Sequence, residues 1–259
     1  MKLIIAVILF FITTLAASSQ FEMVPGNIKP FKSGESLEYT IKYGPIHGGS
    51  ATVNLKLVKY KDKIAYNSKV LAKSVGLADR LFKVREHYES YFDPKSVKPF
   101  KAIRNVREGN FRAYNEVYFS LEDSSLYSLH SDSVFKVPPD ILDMVTALYF
   151  VRALNYKNIN FGDSLKIITF FDNEIFPFPL RYKGKEIIKT KLGKFKCLRF
   201  DPVVGTGRIF KSEDDMTVWI SNDKNLIPLR VRFNLIVGSI RCDLSEYSGL
   251  KYEFKPIEN

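Results

Sequence analysis

The sequence predicts a mainly β protein: a large curved antiparallel sheet, or an open half-barrel of about 10 to 13 strands, with one central α-helix near residues 138–156 on the concave side. Three observations predict it. Apolar residues recur with period two along most of the chain, turn-forming residues separate these stretches at short intervals, and one segment changes to helical spacing.

The clearest alternation is Ile227, Leu229, Val231, Phe233 and Leu235, interleaved with Pro228, Arg230, Arg232 and Asn234. One face is apolar and the other polar or basic, as in a half-buried antiparallel strand. Pro228 has no N–H for a ladder, so it marks the start of the strand or an edge. In chain order, similar stretches run through 35–43, 50–59, 65–73, 84–92, 102–106, 111–121, 164–171, 180–189, 194–201, 208–210, 216–220 and 239–247. Gly48-Gly49, Glu108-Gly109-Asn110, Lys183-Gly184, Gly205-Thr206-Gly207 and 221–225 supply turn chemistry between them.

The exception follows Val137-Pro138-Pro139-Asp140. There Ile141, Val145, Leu148, Tyr149, Arg152 and Ala153 fall at helical spacing. Proline lacks the N–H that a first helical turn would orphan, and Asp140 complements the dipole, so the helix is expected to begin here. Its apolar residues surround most of the axis, which predicts burial. Residues 75–82 predict a second, short helical turn. No composition shift or long linker divides residues 20–259, which are read as one exported β-rich domain, or as two sheet lobes joined by the helix.

Residues 1–19 read as a signal peptide: Lys2, an apolar run from Leu3 to Leu15 too short to span a bilayer, then Ala17 and Ser19 as small residues before a cleavage site. The expected location is the periplasm or cell exterior. No cysteine follows the run, so a lipoprotein anchor is not expected, and no later segment has the length and apolarity of a transmembrane helix. Export permits Cys197 and Cys242 to pair. The alternation Ile240-Cys242-Leu244 also reads as a buried thiol, and a simple meander keeps the two cysteines apart.

The chain has 259 residues, a formal charge of +11, three histidines and two cysteines. His47, His87 and His130 lie on different strands or loops, and no nucleophile elbow, HExxH, CxxC or nucleotide loop occurs. Gly48-Gly49-Ser50 and Gly205-Thr206-Gly207 read as hairpin turns, and Glu213-Asp214-Asp215 as a solvated turn. No cofactor, no metal and no catalytic residue is expected. Lys and Arg are spread over many strands rather than clustered, so nucleic acid is not an expected partner. The positive field suits an anionic membrane surface, or serves solubility.

Phe176-Pro177-Phe178-Pro179 follows the helix closely. Its prolines exclude a central ladder and predict an edge or loop carrying large apolar groups. These either line a cavity or anchor the segment to the core.

Several ordered pieces carry a family resemblance. They are Gly34-Glu35, the run from Tyr43 to Gly49 with Ala51 and Val53, the run from Val84 to Pro94 followed by Pro99, and the helix from Asp143 to Arg152. The C-terminal half adds Gly193-Lys194-Phe195, Val218-Trp219-Ile220-Ser221, Ile227-Pro228, Gly238-Ser239-Ile240 and Asp243-Leu244. In this order, over about 33–250, the chain resembles the bacterial exported family called domain of unknown function 3108. The resemblance implies an exported, mostly antiparallel β domain. Its shape is related to the open-barrel carriers of outer-membrane lipoproteins, which hold acyl chains against a concave sheet. The family brings no catalytic residues with it.

The reading of function is therefore a non-catalytic, monomeric binding module of the cell envelope for a lipid-like or other hydrophobic ligand. Val145, Leu148, Tyr149 and Arg152 on the helix, with Phe176 and Phe178, are the candidate lining. Arg152 either meets an anionic head group or forms an ion pair that orients the helix. The alternative is an envelope scaffold or protein-interaction domain with a filled core, and a hydrolase is the reading with least support.

Overall fold

The structure is a computed structural model, and it describes Gly26, residues 29–203, Ser212 and residues 215–258. The expected signal segment, the candidate strand 208–210, the turn Gly205-Thr206-Gly207, and Glu213 and Asp214 lie outside the described residues. The first half of the chain forms β1 (Ser36–Tyr43), β2 (Ile46–Tyr60), β3 (Lys63–Ser74), α1 (Gly76–Leu81), β4 (Val84–Phe92), β5 (Pro99–Glu108), β6 (Phe111–Ser120), β7 (Ser125–Ser128) and β8 (Ser133–Lys136). The second half forms α2 (Met144–Ala153), β9 (Ser164–Phe171), β10 (Glu174–Thr190), β11 (Gly193–Pro202), β12 (Met216–Ser221), β13 (Pro228–Asn234) and β14 (Ser239–Ser248).

Within each half, every strand pairs antiparallel with the next, as short hairpin connections require. The two halves then join through β1 and β14, so one sheet of fourteen strands runs from β8 through β1 and β14 to β9. The sheet is not closed, and its edges are β8 and β9. The chain between these edges carries α2. Just before the helix, Leu142 accepts from the Phe170 N–H (2.8 Å) and donates to the Ile168 carbonyl (3.0 Å), covering part of the β9 edge. An uncovered edge would leave such groups exposed for pairing with another chain.

The strand count exceeds the expected 10 to 13 because β7 and β8 have four residues each, too few for alternation to register. Three further expectations are corrected. Gly48-Gly49 and Lys183-Gly184 are not turns but lie inside β2 and β10, each at a shift of strand register. The helix starts at Met144, not near Pro138, because Asp143 is its cap: Oδ1 accepts the Val145 and Thr146 N–H groups (2.8 and 3.1 Å), and Thr146 Oγ1 accepts the Asp143 N–H (2.9 Å). The prolines belong to the connection that reaches β9. The Phe-Pro-Phe-Pro segment is not a loop but the first part of β10, paired with β9 on one side and, among the described residues, with no strand on the other. Its prolines are tolerated because their missing donors face β11, where the ladder begins only at Leu180; the Pro179 carbonyl on that side accepts the Val203 N–H at 2.9 Å.

The alternation sorts the strands into two faces. Directly paired residues share a face, and Tyr182, Phe200, Val218, Val231, Cys242 and Ile41 form one such row across five neighbouring pairings. This is the face that packs on α2. Within it Leu37, Val53, Leu55, Phe92, Leu229 and Leu244 bury around Val145, Tyr149 and Ala153, while Leu165, Ile167, Leu180 and Phe200 bury around Ala147, Val151 and Leu154. On the opposite face, Trp219 lies beneath the guanidinium groups of Arg199, Arg230 and Arg232 at 5.8–6.0 Å. The basic strand faces of the sequence thus include cations that cover an aromatic ring.

Cys197 and Cys242 are free. They lie on β11 and β14, two strands apart, and their registers place them on opposite faces. Burial pushes the Cys197 thiol up to about 12 and the Cys242 thiol up to about 11, so both remain protonated and poorly nucleophilic at neutral pH.

Candidate functional site

One cavity lies between α2 and strands β9 to β13, with a volume of about 200 Å³. Ala147, Leu148 and Val151 face it from the helix; Ile167, Phe178, Leu180, Phe200, Val218, Ile220 and Val231 face it from the sheet. Met144 and Met216 stand at the end where β12 begins, and Pro228 at the end where β13 begins. The lining is almost wholly apolar. The cause is local: α2 is apolar on nearly all sides, and each strand here sends its period-two apolar set to the helix side. Flexible methionines at the upper end suit an opening that adapts to what enters.

The six sequence-predicted lining residues separate in space. Leu148 and Phe178 line the cavity. Phe176, two residues along the same face, is exposed just above it, its ring centroid 6.5 Å from that of Phe178. Val145 and Tyr149 point into the packed core. Tyr149 is fully buried against Phe31 and Phe92 at centroid distances of 4.9 and 5.2 Å, and its hydroxyl accepts from Ser68 at 3.1 Å.

Arg152 is also fully buried and turned away from the cavity. It donates two hydrogen bonds to Glu35 (2.6 and 2.8 Å) and one to the Asn225 carbonyl (3.2 Å). Its Nε has no partner. Of the two roles open to Arg152 in the sequence, this geometry is that of the orienting ion pair. Glu35 holds α2 against the segment leading into β1, across 117 residues of chain. The sequence marked Gly34-Glu35 only as part of a family resemblance and gave no sign of its partner.

A second polar feature lies on the helix side of the sheet. Pairings Val84–Glu108 and Glu86–Val106 place Glu86 and Glu108 on one face, where their carboxyl groups hydrogen-bond. Burial first, and the Glu108 carboxyl second, push Glu86 up to about 7, partly opposed by Arg104. The folded protein therefore holds a proton that the unfolded chain, near 4.5, releases earlier. The stability from this group is complete below 4.5 and is lost as pH rises through about 7. Glu86→Gln keeps a neutral side chain at every pH. Thermal melts between about pH 5 and pH 8 should show a smaller fall in Tm for Glu86→Gln than for the wild type. An equal fall in both would refute the shared proton.

Among the described residues no group of three or more His, Cys, Asp or Glu side chains is placed to hold a metal ion. No described helix is long and apolar enough to cross a membrane. His87 lies on the face opposite α2, with Nε2 3.0 Å from Glu89 Oε2.

Comparison with known proteins gives a family and a fold. The family model for "Protein of unknown function (DUF3108)" matches residues 38–245. No protein of curated function matches the chain. A crystal structure from Brucella abortus, described as a beta-barrel-like protein of domain of unknown function DUF1849, aligns with TM-score 0.54 at 8% identity, covering 84% of this chain and 98% of the other. At that identity the likeness is one of fold. A DUF1089 family protein from Pseudomonas aeruginosa aligns with TM-score 0.39 at 10% identity over 92% of this chain and 100% of its own. A hypothetical protein from Chlamydia trachomatis gives 0.38 at 10% identity over 88% and 93%.

Proposed function

The chain belongs to the protein family of unknown function DUF3108, and we propose that it is a non-catalytic binding module of the cell envelope that takes an apolar group or the end of an acyl chain between α2 and β9–β13. The observation that carries this reading is the almost wholly apolar cavity of about 200 Å³. An engineered apolar cavity of ~150 Å³ binds benzene, so an apolar cavity of this size has room for an apolar group. It is smaller than the ~300 Å³ at which sites for whole drug-sized ligands begin. The ligand therefore inserts one apolar end, and the rest of it leaves past Met144, Met216 and Phe176.

Native mass spectrometry of protein purified from an envelope fraction tests the reading, together with titration of a fluorescent fatty-acid probe. Co-purifying lipid, or probe binding lost in Leu148→Trp and kept in the wild type, is the expected result. The added indole volume fills the cavity from its half-buried helix side, and overpacking there should cost about 1–3 kcal/mol. A clean apo mass with no probe binding overturns the reading, and a stable co-purifying protein in its place would favour a scaffold.

A further inference from the structure

We propose that the end of the sheet beside the cavity opening is a docking surface for an anionic lipid bilayer. In an antiparallel meander, alternate connections fall at the same end. The connections after β1, β3, β5, β9 and β13 therefore share the end at which Met144 and Met216 border the cavity.

Most of the exposed large apolar side chains among the described residues belong to this end. Ile46 follows the first connection, Leu77, Leu81 and Phe82 lie on or just after α1, Phe111 follows the third, and Val237 tips the last. Leu81 is 78% exposed and Val237 73%. Leu81, Phe82 and Phe111 gather where the α1 connection meets the β5–β6 hairpin, and exposed apolar groups that cluster in this way mark an interaction surface. Phe82 is held in place, since its ring abuts Gly109 of the neighbouring hairpin.

Two features select a bilayer as the occupant. First, the apolar side chains stand on separate tips around an opening rather than in one continuous groove. A fluid interface can receive several separate insertions, each burying its own apolar area. Second, exposed Arg80, Lys83, Arg107 and Arg112 flank the Leu81, Phe82 and Phe111 group. Two acids nearby are already paired with cations: Asp79 with Arg85, and Asp172 with Arg104. Apolar tips with adjacent cations are complementary to an acyl boundary beneath anionic head groups. Docking in this orientation would set the opening toward the lipid.

The test is flotation with vesicles of phosphatidylglycerol and phosphatidylcholine in equal amounts, against vesicles of phosphatidylcholine alone. The variants are the triple Leu81→Asp, Phe82→Asp, Val237→Asp and a control double Ile64→Asp, Phe161→Asp, whose residues are exposed at the opposite end, at the start of β3 and on the connection before β9. All proteins keep the same N-terminal segment, so its contribution cancels. The wild type is expected to float with the anionic vesicles and to be released by high salt. The triple variant should bind about tenfold or more weakly, and the control within about twofold of wild type, with Tm values unchanged.

Equal flotation of the triple variant and the control overturns the proposal, as does equal wild-type binding to phosphatidylcholine alone. Loss of a co-purifying protein in the triple variant, with no vesicle binding by wild type, also overturns it in favour of a protein partner. The proposal is independent of cavity occupancy. Leu148→Trp should dock like the wild type, so failure of docking and failure of ligand insertion are read separately.

Discussion

Glu35→Ala should lower the unfolding free energy by about 3–5 kcal/mol, the cost of leaving a buried charge without its partner. Arg152 is 0% exposed, and the Glu35 carboxylate 1%. The pair is bidentate, which is the strong geometry for guanidinium and carboxylate. Around it are the rings of Phe31 and Tyr149, each with its centroid 5.4 Å from the guanidinium carbon. Burial of the pair keeps bulk solvent from screening the charge that loss of Glu35 would leave behind. Denaturant unfolding should show the midpoint moving with little change in slope. Arg152→Ala should lower Tm by a similar free energy with or without added lipid, because the residue holds α2 in place and does not reach the cavity. The decisive variant is the double change Glu35→Leu with Arg152→Met. Removing both charges avoids the orphan, and apolar groups of similar volume often replace a buried pair at little cost. The double variant should therefore recover most of the loss from either single change. If Arg152→Ala keeps full stability but loses lipid binding, the orienting role is wrong.

Tyr149→Ala should also cost about 3–5 kcal/mol, the range for removing a large aromatic side chain from a packed core. Phe31, Tyr66, Phe92 and Tyr149 form a connected set of ring contacts at 4.9–5.7 Å, joining α2 to strands β3 and β4 and to the segment before β1. Tyr149→Phe keeps the ring and removes the hydroxyl that accepts from buried Ser68, so about 1 kcal/mol is expected. Leu148 gives the contrast. It precedes Tyr149 by one residue, about 100° round the helix, and borders the cavity half-buried. Leu148→Ala should cost less than Tyr149→Ala, because part of that side chain is already uncovered, and should change probe binding. Equilibrium unfolding of the three variants checks the ranking. A Tyr149→Ala protein as stable as Leu148→Ala would place Tyr149 at the cavity rather than in the core.

Adjacent residues of one helix thus take opposite parts, and this limits what periodicity can say about a site. Six residues were candidates because they are large or basic and belong to the helix or the aromatic segment. Helical spacing establishes that α2 is apolar on most sides; it does not distinguish a side that touches packed strands from one that faces a void. The void depends on side-chain volumes contributed by β9 to β13, far apart in sequence, and Val218 and Val231 border it as two ordinary members of alternating strands. The same limit applies to Glu35. A glutamate at the start of a strand reads as solvated, and its burial becomes intelligible only when Arg152 is found opposite it.

Sequence alone determined the antiparallel meander. Period two with short turns leaves a chain few alternatives to pairing each strand with the next, and a single apolar helix has to bury against the sheet they form. It also determined that α1 and α2 interrupt the strands, because their apolar spacing departs from two. Tertiary structure alone decided that β1 pairs with β14, that β8 and β9 are left as the edges, and that α2 begins at Met144, capped by Asp143, after the chain has reached β9. It also decided where the sheet and helix fail to fill the space between them. These are consequences of how side chains from remote strands fit together, and local periodicity carries no information about that fit.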